Sequence, residues 1–261
     1  MTEAHDRDPQ TADAPAVISL MMGIPSSELA MLGIMAGCDS VILDCEHGFP
    51  FDRSLRTMAV SVHSVGGRCI TRVPRGALDR ISSIADMGMD GFVLSGVQTM
   101  QDMAEAMSLA RFPPAGSRSV NPFVPAAGIP GDVPELQRSA AALQFWAMAE
   151  TEEFLGAVKD LTAADATHPG WTGIIIGPYD LSAALGCSAD PQDPILADAV
   201  RAFMAAARRL TIKSGLFVRD AEHLRQWRAQ GISTDMVCLG YDRYLWYQGC
   251  QSLVSAARSG N

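Results

Sequence analysis

Ser40-Val41-Ile42-Leu43-Asp44-Cys45-Glu46-His47-Gly48 changes character halfway along. Up to Cys45 the side chains are small or apolar except Asp44, without the alternation of a half-exposed strand; a strand covered on both faces reads this way. The run then closes on a carboxylate, an imidazole and a glycine. Seven further stretches share the apolar half of this pattern: Val17–Met22, Cys69–Val73, Gly91–Leu94, Phe145–Ala149, Gly173–Ile176, Gly215–Val218 and Met236–Leu239. Helix-like patterns fill the intervals at Ser27–Ala36, Phe51–Ser64, Leu78–Met87, Met100–Arg111, Glu152–Leu161, Pro194–Leu210, Ala221–Gln230 and Arg243–Ala257. Eight such units predict an α/β chain folded as a single (β/α)8 barrel of the TIM type, with a doubly wound open sheet as the alternative. The Pro- and Gly-rich segment Phe112–Ala140 breaks the rhythm and reads as a long loop with a role in function or assembly.

The 261 residues suit one barrel, and 48% apolar residues supply its core. Residues 1–15 are polar and lack the basic-then-apolar order of a signal peptide, so they read as a disordered lead-in to a barrel domain over 16–261. No apolar run is long enough to span a membrane. The net charge of −9 argues against a nucleic-acid partner, because phosphate backbones attract clustered Lys and Arg. Six scattered cysteines without a C-x-x-C pair suit reduced thiols in a cytoplasmic protein.

A barrel of this kind carries its reactive groups where strands end and βα loops begin. Besides the stretch around Asp44, three strand ends meet that demand: Thr71-Arg72-Val73-Pro74, Ala149-Glu150-Thr151 and Gly177-Pro178-Tyr179-Asp180. Any one charged strand end is as readily a solvated residue, and His47 alone is as readily a capping or core histidine. Four complementary endings together point to a site. Glu150 and Asp180, from adjacent strands, offer the hard oxygen ligands that Mg2+ or Mn2+ prefers. Arg72 offers a planar fork for a carboxylate or a developing enolate oxygen. His47 is the histidine placed at a strand end, hence the natural proton shuttle. His5, His63, His168 and His223 are expected as surface or packing residues. A Schiff-base mechanism needs a lysine in the barrel mouth. Lys159 falls in a helix and Lys213 before strand seven, at the wrong end. The loops Val218-Arg219-Asp220 and Leu239-Gly240-Tyr241 lack a Gly-rich phosphate cradle, which disfavours phosphorylated substrates.

The strand ends, with Leu43-Asp44-Cys45-Glu46-His47-Gly48, Ile84-Ala85-Asp86-Met87-Gly88, Arg111-Phe112-Pro113-Pro114-Ala115-Gly116-Ser117-Arg118 and Ile176-Gly177-Pro178-Tyr179-Asp180-Leu181-Ser182, resemble the HpcH/HpaI aldolases, the metal-dependent class II pyruvate aldolases. The motifs occur in family order over nearly the whole chain. The resemblance implies that Glu150 and Asp180 hold a divalent metal (Mg2+, Mn2+ or Co2+), that Arg72 contacts the carbonyl or enolate oxygen, and that His47 acts as acid and base. It implies that Asp86 reaches across a subunit interface to the histidine of a neighbouring protomer; read without the resemblance, Asp86 is as readily the last residue of a helix before Gly88. Backbone N–H groups around Gly177, Pro178, Tyr179 and Asp180 would bind the substrate carboxylate, while Asp44 and Glu46 would orient water and ligands. The implied reaction cleaves or forms 4-hydroxy-2-oxo acids through a pyruvate-type enolate, with a 2-oxo acid and an aldehyde as partners. The implied assembly is a homo-oligomer, a hexamer built as a trimer of dimers.

Three places depart from the family pattern: Leu94-Ser95-Gly96-Val97-Gln98, Tyr179 in place of a small residue, and the loop Val120–Gly131. They surround the expected pocket mouth, so they bear on the acceptor more than on enolate formation. The same enolate chemistry with an acyl-CoA or oxo-acid partner, in the manner of malyl- or citryl-CoA lyases or citrate-forming synthases, stays open. So does a barrel kept as a non-catalytic binding protein.

Overall fold

In the computed structural model, which describes residues 17–127, 131–161 and 170–259, the strands follow one another in chain order. They are β1 (Val17–Met22), β2 (Ser40–Asp44), β3 (Arg68–Pro74), β4 (Gly91–Ser95), β5 (Gln144–Ala149), β6 (Gly173–Ile176), β7 (Lys213–Val218) and β8 (Met236–Tyr241). All pair in parallel, and β8 returns to β1 to close an eight-stranded barrel. The open-sheet alternative is thereby removed.

Strand periodicity explains what fills the barrel and what crowns it. Side chains two apart share a face. Ile42 of β2, Ile70 of β3, and Trp146 and Met148 of β5 pack with Met21, Val93, Ile175, Met236 and Cys238 in the interior. Continuing the same face by one step reaches Asp44, Arg72 and Glu150, so the alternation that builds the core also delivers three charged groups to the mouth. Asp44 and Arg72 are register partners between β2 and β3. Outward residues such as Val41, Leu43, Cys69 and Phe145 join the larger core under the helices.

The helices are α1 (Ser27–Met35), α2 (Arg53–Ser64), α3 (Ile81–Asp86), α4 (Met100–Ala110), α5 (Val133–Ala141), α6 (Glu152–Asp160), α7 (Pro178–Ala184), α8 (Pro194–Arg209), α9 (Ala221–Ala229) and α10 (Asp242–Ser259). Most begin on a short polar side chain that accepts a first-turn N–H: Ser26, Asp52, Thr99, Asp132, Thr151, Asp193 and Asp220. In α8, Leu196, Val200, Phe203 and Ala207 recur at helical spacing and are buried, with Phe203 stacked on Phe154 of α6 at 6.2 Å.

Two expectations change. The segment expected as a loop over Phe112–Ala140 contains the 3-10 turn Pro125–Ala127 and α5, whose Leu136 and Ala140 pack with Phe112 and Val124. The helix expected from Leu78 begins as a 3-10 turn, Arg75–Arg80, before α3. The lead-in 1–15 and His168 lie outside the described residues.

α10 differs from the others. It meets the barrel at β1 and β8, and Asp242 is its one buried residue among those described. Leu245, Trp246, Tyr247, Leu253 and Val254 are exposed. Nearby in barrel order, α1 is almost wholly apolar, yet only Ala30 is buried, and Met35 is 70% exposed. Among the described residues no helix is long and apolar enough to cross a membrane.

Candidate active site

The mouth at the C-terminal ends of the strands holds a cavity of about 350 Å³, lined by Asp44, His47, Arg72, Gly177, Asp180 and Arg243 together with Met21, Met148, Tyr179, Phe217 and Tyr241. Asp44 is fully buried and acts as the hub. Its Oδ1 accepts the backbone N–H of Glu46 (3.1 Å) and His47 (3.3 Å), which fixes the turn carrying both side chains. Its Oδ2 accepts the Tyr241 hydroxyl at 2.9 Å. Burial, followed by the Asp44 charge, pushes the Tyr241 phenol well above its ordinary range, so it stays a donor.

Arg72 is buried between two carboxylates. Nε lies 2.9 Å from Asp44 Oδ1 and Nη2 lies 2.5 Å from Glu46 Oε2. The charges are paired by distance, but neither nitrogen is aligned for a hydrogen bond. His47 is exposed and sits at the rim, with Nε2 at 3.8 Å from Glu46 Oε2. Gly48 serves a close approach: a Cβ there would lie 2.6 Å from Gly23 Cα.

Glu150 follows β5 and is 6% exposed. Its Oε1 accepts the N–H of Gly96 at 2.5 Å, and Gly96 adopts a φ of 66° that favours glycine. Its Oε2 is buried with no hydrogen-bond partner. Desolvation, reinforced by Glu46 and Asp180, raises the carboxyl from 4.5 to about 7, against the pull of the Gly96 N–H and Arg72. A buried oxygen without a partner, facing other carboxylates, is the donor chemistry of a hard cation site. Among the described residues no three His, Cys, Asp or Glu side chains group as a metal site on their own. Two carboxylates such as Glu150 and Asp180 offer the hard oxygens of an ion of the Mg2+ type, which takes its other oxygens from water and substrate. The residues fit such an ion.

In Gly177–Asp180 the expectation of donating N–H groups needs correction. The Gly177 N–H already donates to Ala149 O at 3.2 Å, and Pro178 has none. Tyr179 and Asp180, in the first turn of α7, carry the N–H groups that a helix leaves unsatisfied. Gly177 contributes space: a Cβ would lie 3.1 Å from Glu150 Oε2.

Asp86 is not brought to this cavity. It ends α3, half-exposed, and accepts Nε (3.0 Å) and Nη2 (2.5 Å) of the buried Arg118. His63 pairs with Asp90 at 2.7 Å, and His223 is buried against Trp227. Lys159 lies in α6, and Lys213 opens β7 at the end remote from the mouth. Buried Cys45 and Cys238 are pushed up to about 12, chiefly by desolvation, and remain thiols.

The sequence reading placed Gly96 near the pocket mouth without a role, and assigned none to Tyr241 or Phe217. Gly96 acts through its N–H, which no residue type advertises. Tyr241 reaches the mouth through a register irregularity in the β1–β8 pairing at Leu20/Met21. An aromatic at the end of an otherwise buried strand was the available signal.

The chain is 26% identical over 244 residues to a 4-hydroxy-2-oxo-heptane-1,7-dioate aldolase of Salmonella dublin, covering 93% of this chain and 90% of that protein. The fold is shared with an HpcH/HpaI aldolase/citrate lyase family protein from Burkholderia cenocepacia J2315 (TM-score 0.82, 24% identity, 94% and 95% of the two chains). It is also shared with an HpcH/HpaI aldolase from Desulfitobacterium hafniense DCB-2 (TM-score 0.80, 23% identity, 94% and 93%). The model of the HpcH/HpaI aldolase/citrate lyase family matches residues 19–247, so the chain belongs to that family and is an enzyme of its aldolase and lyase class.

Proposed function

We propose that this enzyme cleaves or forms 4-hydroxy-2-oxo acids through a pyruvate-type enolate, using Glu150 and Asp180 to hold a divalent metal. The observation that carries the reading is the convergence on one cavity of Arg72, His47 and Asp180, beside the unpartnered Glu150 Oε2. When bound, a metal such as Mg2+, Mn2+ or Co2+ would supply Lewis acidity to the carboxylate and ketone oxygens of the 2-oxo acid. The buried Arg72 guanidinium aims donors at the oxygen that gains charge as the C3 carbanion delocalises. Asp44 and Glu46 hold that guanidinium in place, and Tyr241 holds Asp44. The first-turn N–H groups of Tyr179 and Asp180 receive the substrate carboxylate. His47 removes the 4-hydroxyl proton in cleavage and returns it in addition. Here C3–C4 breaks, its electron pair passes into the enolate, and C4 leaves as an aldehyde.

Residues 16–261 are read as one catalytic domain acting in the cytoplasm, which suits the free thiols of the six cysteines. The working form is read as a homo-oligomer, a hexamer arranged as a trimer of dimers, in which Asp86 serves a neighbouring protomer. The exposed apolar surface of α10 and the half-exposed Asp86 support this.

Pyruvate incubated with the enzyme in deuterated water should exchange its methyl protons. A chelator should abolish the exchange, and Mg2+ or Mn2+ should restore it. Absence of exchange with every metal tried would overturn the enolate. Exchange that survives both chelator and Glu150→Ala would overturn the metal assignment.

A further inference from the structure

One wall of the cavity is built from rings. Tyr179 meets Phe217 edge-on, with centroids 6.0 Å apart and planes at 65°. Behind Tyr179 stands His223 at 6.3 Å, and behind that Trp227 at 6.0 Å. Trp227 is fully buried and His223 nearly so, so Tyr179 leans on a rigid support. Both Trp227 Nε1 and the Arg219 N–H point at ring nitrogens of His223, and burial lowers that imidazole's pKa; it is a neutral spacer, not a cation. Buried Met21 and Met148 line the same cavity.

Two cations stand near this wall, one of them paired with a carboxylate. Arg219 Nε donates to Asp220 at 2.9 Å. Arg243 donates from Nη2 to Gly23 O at 2.9 Å and lies over the Tyr241 ring at 5.8 Å. Arg72 belongs to the reacting end. A distal carboxylate on the acceptor would meet aromatic faces and methionines on this wall, and Arg243, held by Gly23 O and the Tyr241 ring, is the cation it would have to reach. A neutral apolar body gains by burial against the same surface.

We infer, resting on the aldolase reading above, that the acceptor is a neutral aldehyde with an aromatic or branched apolar body, and that Tyr179 sets this preference. The ring fills the place that a small residue would leave open, and it offers the acceptor a face or edge within the distances at which aromatic pairs attract.

The test compares benzaldehyde, isobutyraldehyde and succinic semialdehyde as acceptors for pyruvate, with pyruvate deuterium exchange measured in parallel. Wild type and Tyr179→Phe should favour benzaldehyde over succinic semialdehyde in kcat/KM by about tenfold or more. In Tyr179→Ala that ratio should fall by about tenfold, chiefly through the KM for benzaldehyde. The ratio is taken within each enzyme, so an overall loss of activity cancels. If Tyr179→Ala does not fold, Tyr179→Leu and Phe217→Ala carry the same comparison. Preference of wild type for the semialdehyde would overturn the inference and assign Arg243 as a carboxylate anchor. An unchanged ratio in Tyr179→Ala, or exchange without addition to any of the three, would also overturn it. A wild type that does not exchange pyruvate protons overturns the aldolase reading, and the inference with it.

Discussion

Glu150 Oε2 is desolvated in the folded chain and free to hydrate in the unfolded one. The carboxyl titrates at 4.5 when unfolded and at about 7 when folded, so between those values the folded state binds the extra proton. Stability of the metal-free protein therefore falls as pH rises through that window. Glu150→Gln keeps an oxygen for the Gly96 N–H and has no charge to desolvate. In chelator, the variant should match wild type below the window and exceed it above by up to about 3 kcal/mol. Denaturant unfolding from pH 4 to 8 reads this; a constant difference between the two proteins across that range would refute it. Arg72→Lys removes the fork and leaves a point charge between Asp44 and Glu46. Pyruvate deuterium exchange should slow about a hundredfold, with a smaller change in pyruvate KM. Asp44, Arg72 and Glu150 were legible in the sequence because each continues an inward strand face by two residues. Asp86 was legible only as a motif, and its pairing with Arg118 depends on a loop whose path carries no periodic signal.

Thr151 ties three elements together. Its hydroxyl caps α6 by accepting the Phe154 N–H at 3.1 Å and donates to Val97 O at 3.0 Å, joining the end of β5 to the loop after β4. Thr151→Ala should cost about 1–2 kcal/mol of stability, measured by denaturant midpoint. It should also slow pyruvate exchange, because the same loop supplies Gly96 to Glu150. An unchanged midpoint would show that the cap is dispensable. At this scale the long strands and helices were readable, while α5 and α7 were not. Both lie outside the regular strand–helix alternation, α5 within the Pro- and Gly-rich stretch and α7 directly after the Gly177-Pro178 strand end, so the repeat gave no place for them. The caps carried the remaining signal: Asp132 accepts the Glu135 N–H at the head of α5, and Pro178 opens α7.

Closure of eight parallel strands was legible from their number and spacing, since each unit repeats strand, helix and return. Assembly was expected only from the resemblance, because a helix that buries its apolar side against another chain has the same sequence pattern as one that buries it at home. That the apolar residues of α10 and α1 are left uncovered by the chain's own elements is visible only in three dimensions. Light scattering should give a mass several times that of one chain, and Trp246→Glu with Leu253→Glu should shift it toward the monomer; a monomeric wild type would overturn the oligomer. A surface of this kind also ties folding to mass action. If other copies cover α10, each tenfold dilution removes about 1.4 kcal/mol per association step, so the melting temperature should fall as the protein is diluted. The amount of enzyme present would then set how firmly β8 and its Tyr241–Asp44 bond are held at the mouth, and dilute and concentrated samples of one preparation would differ in activity per molecule.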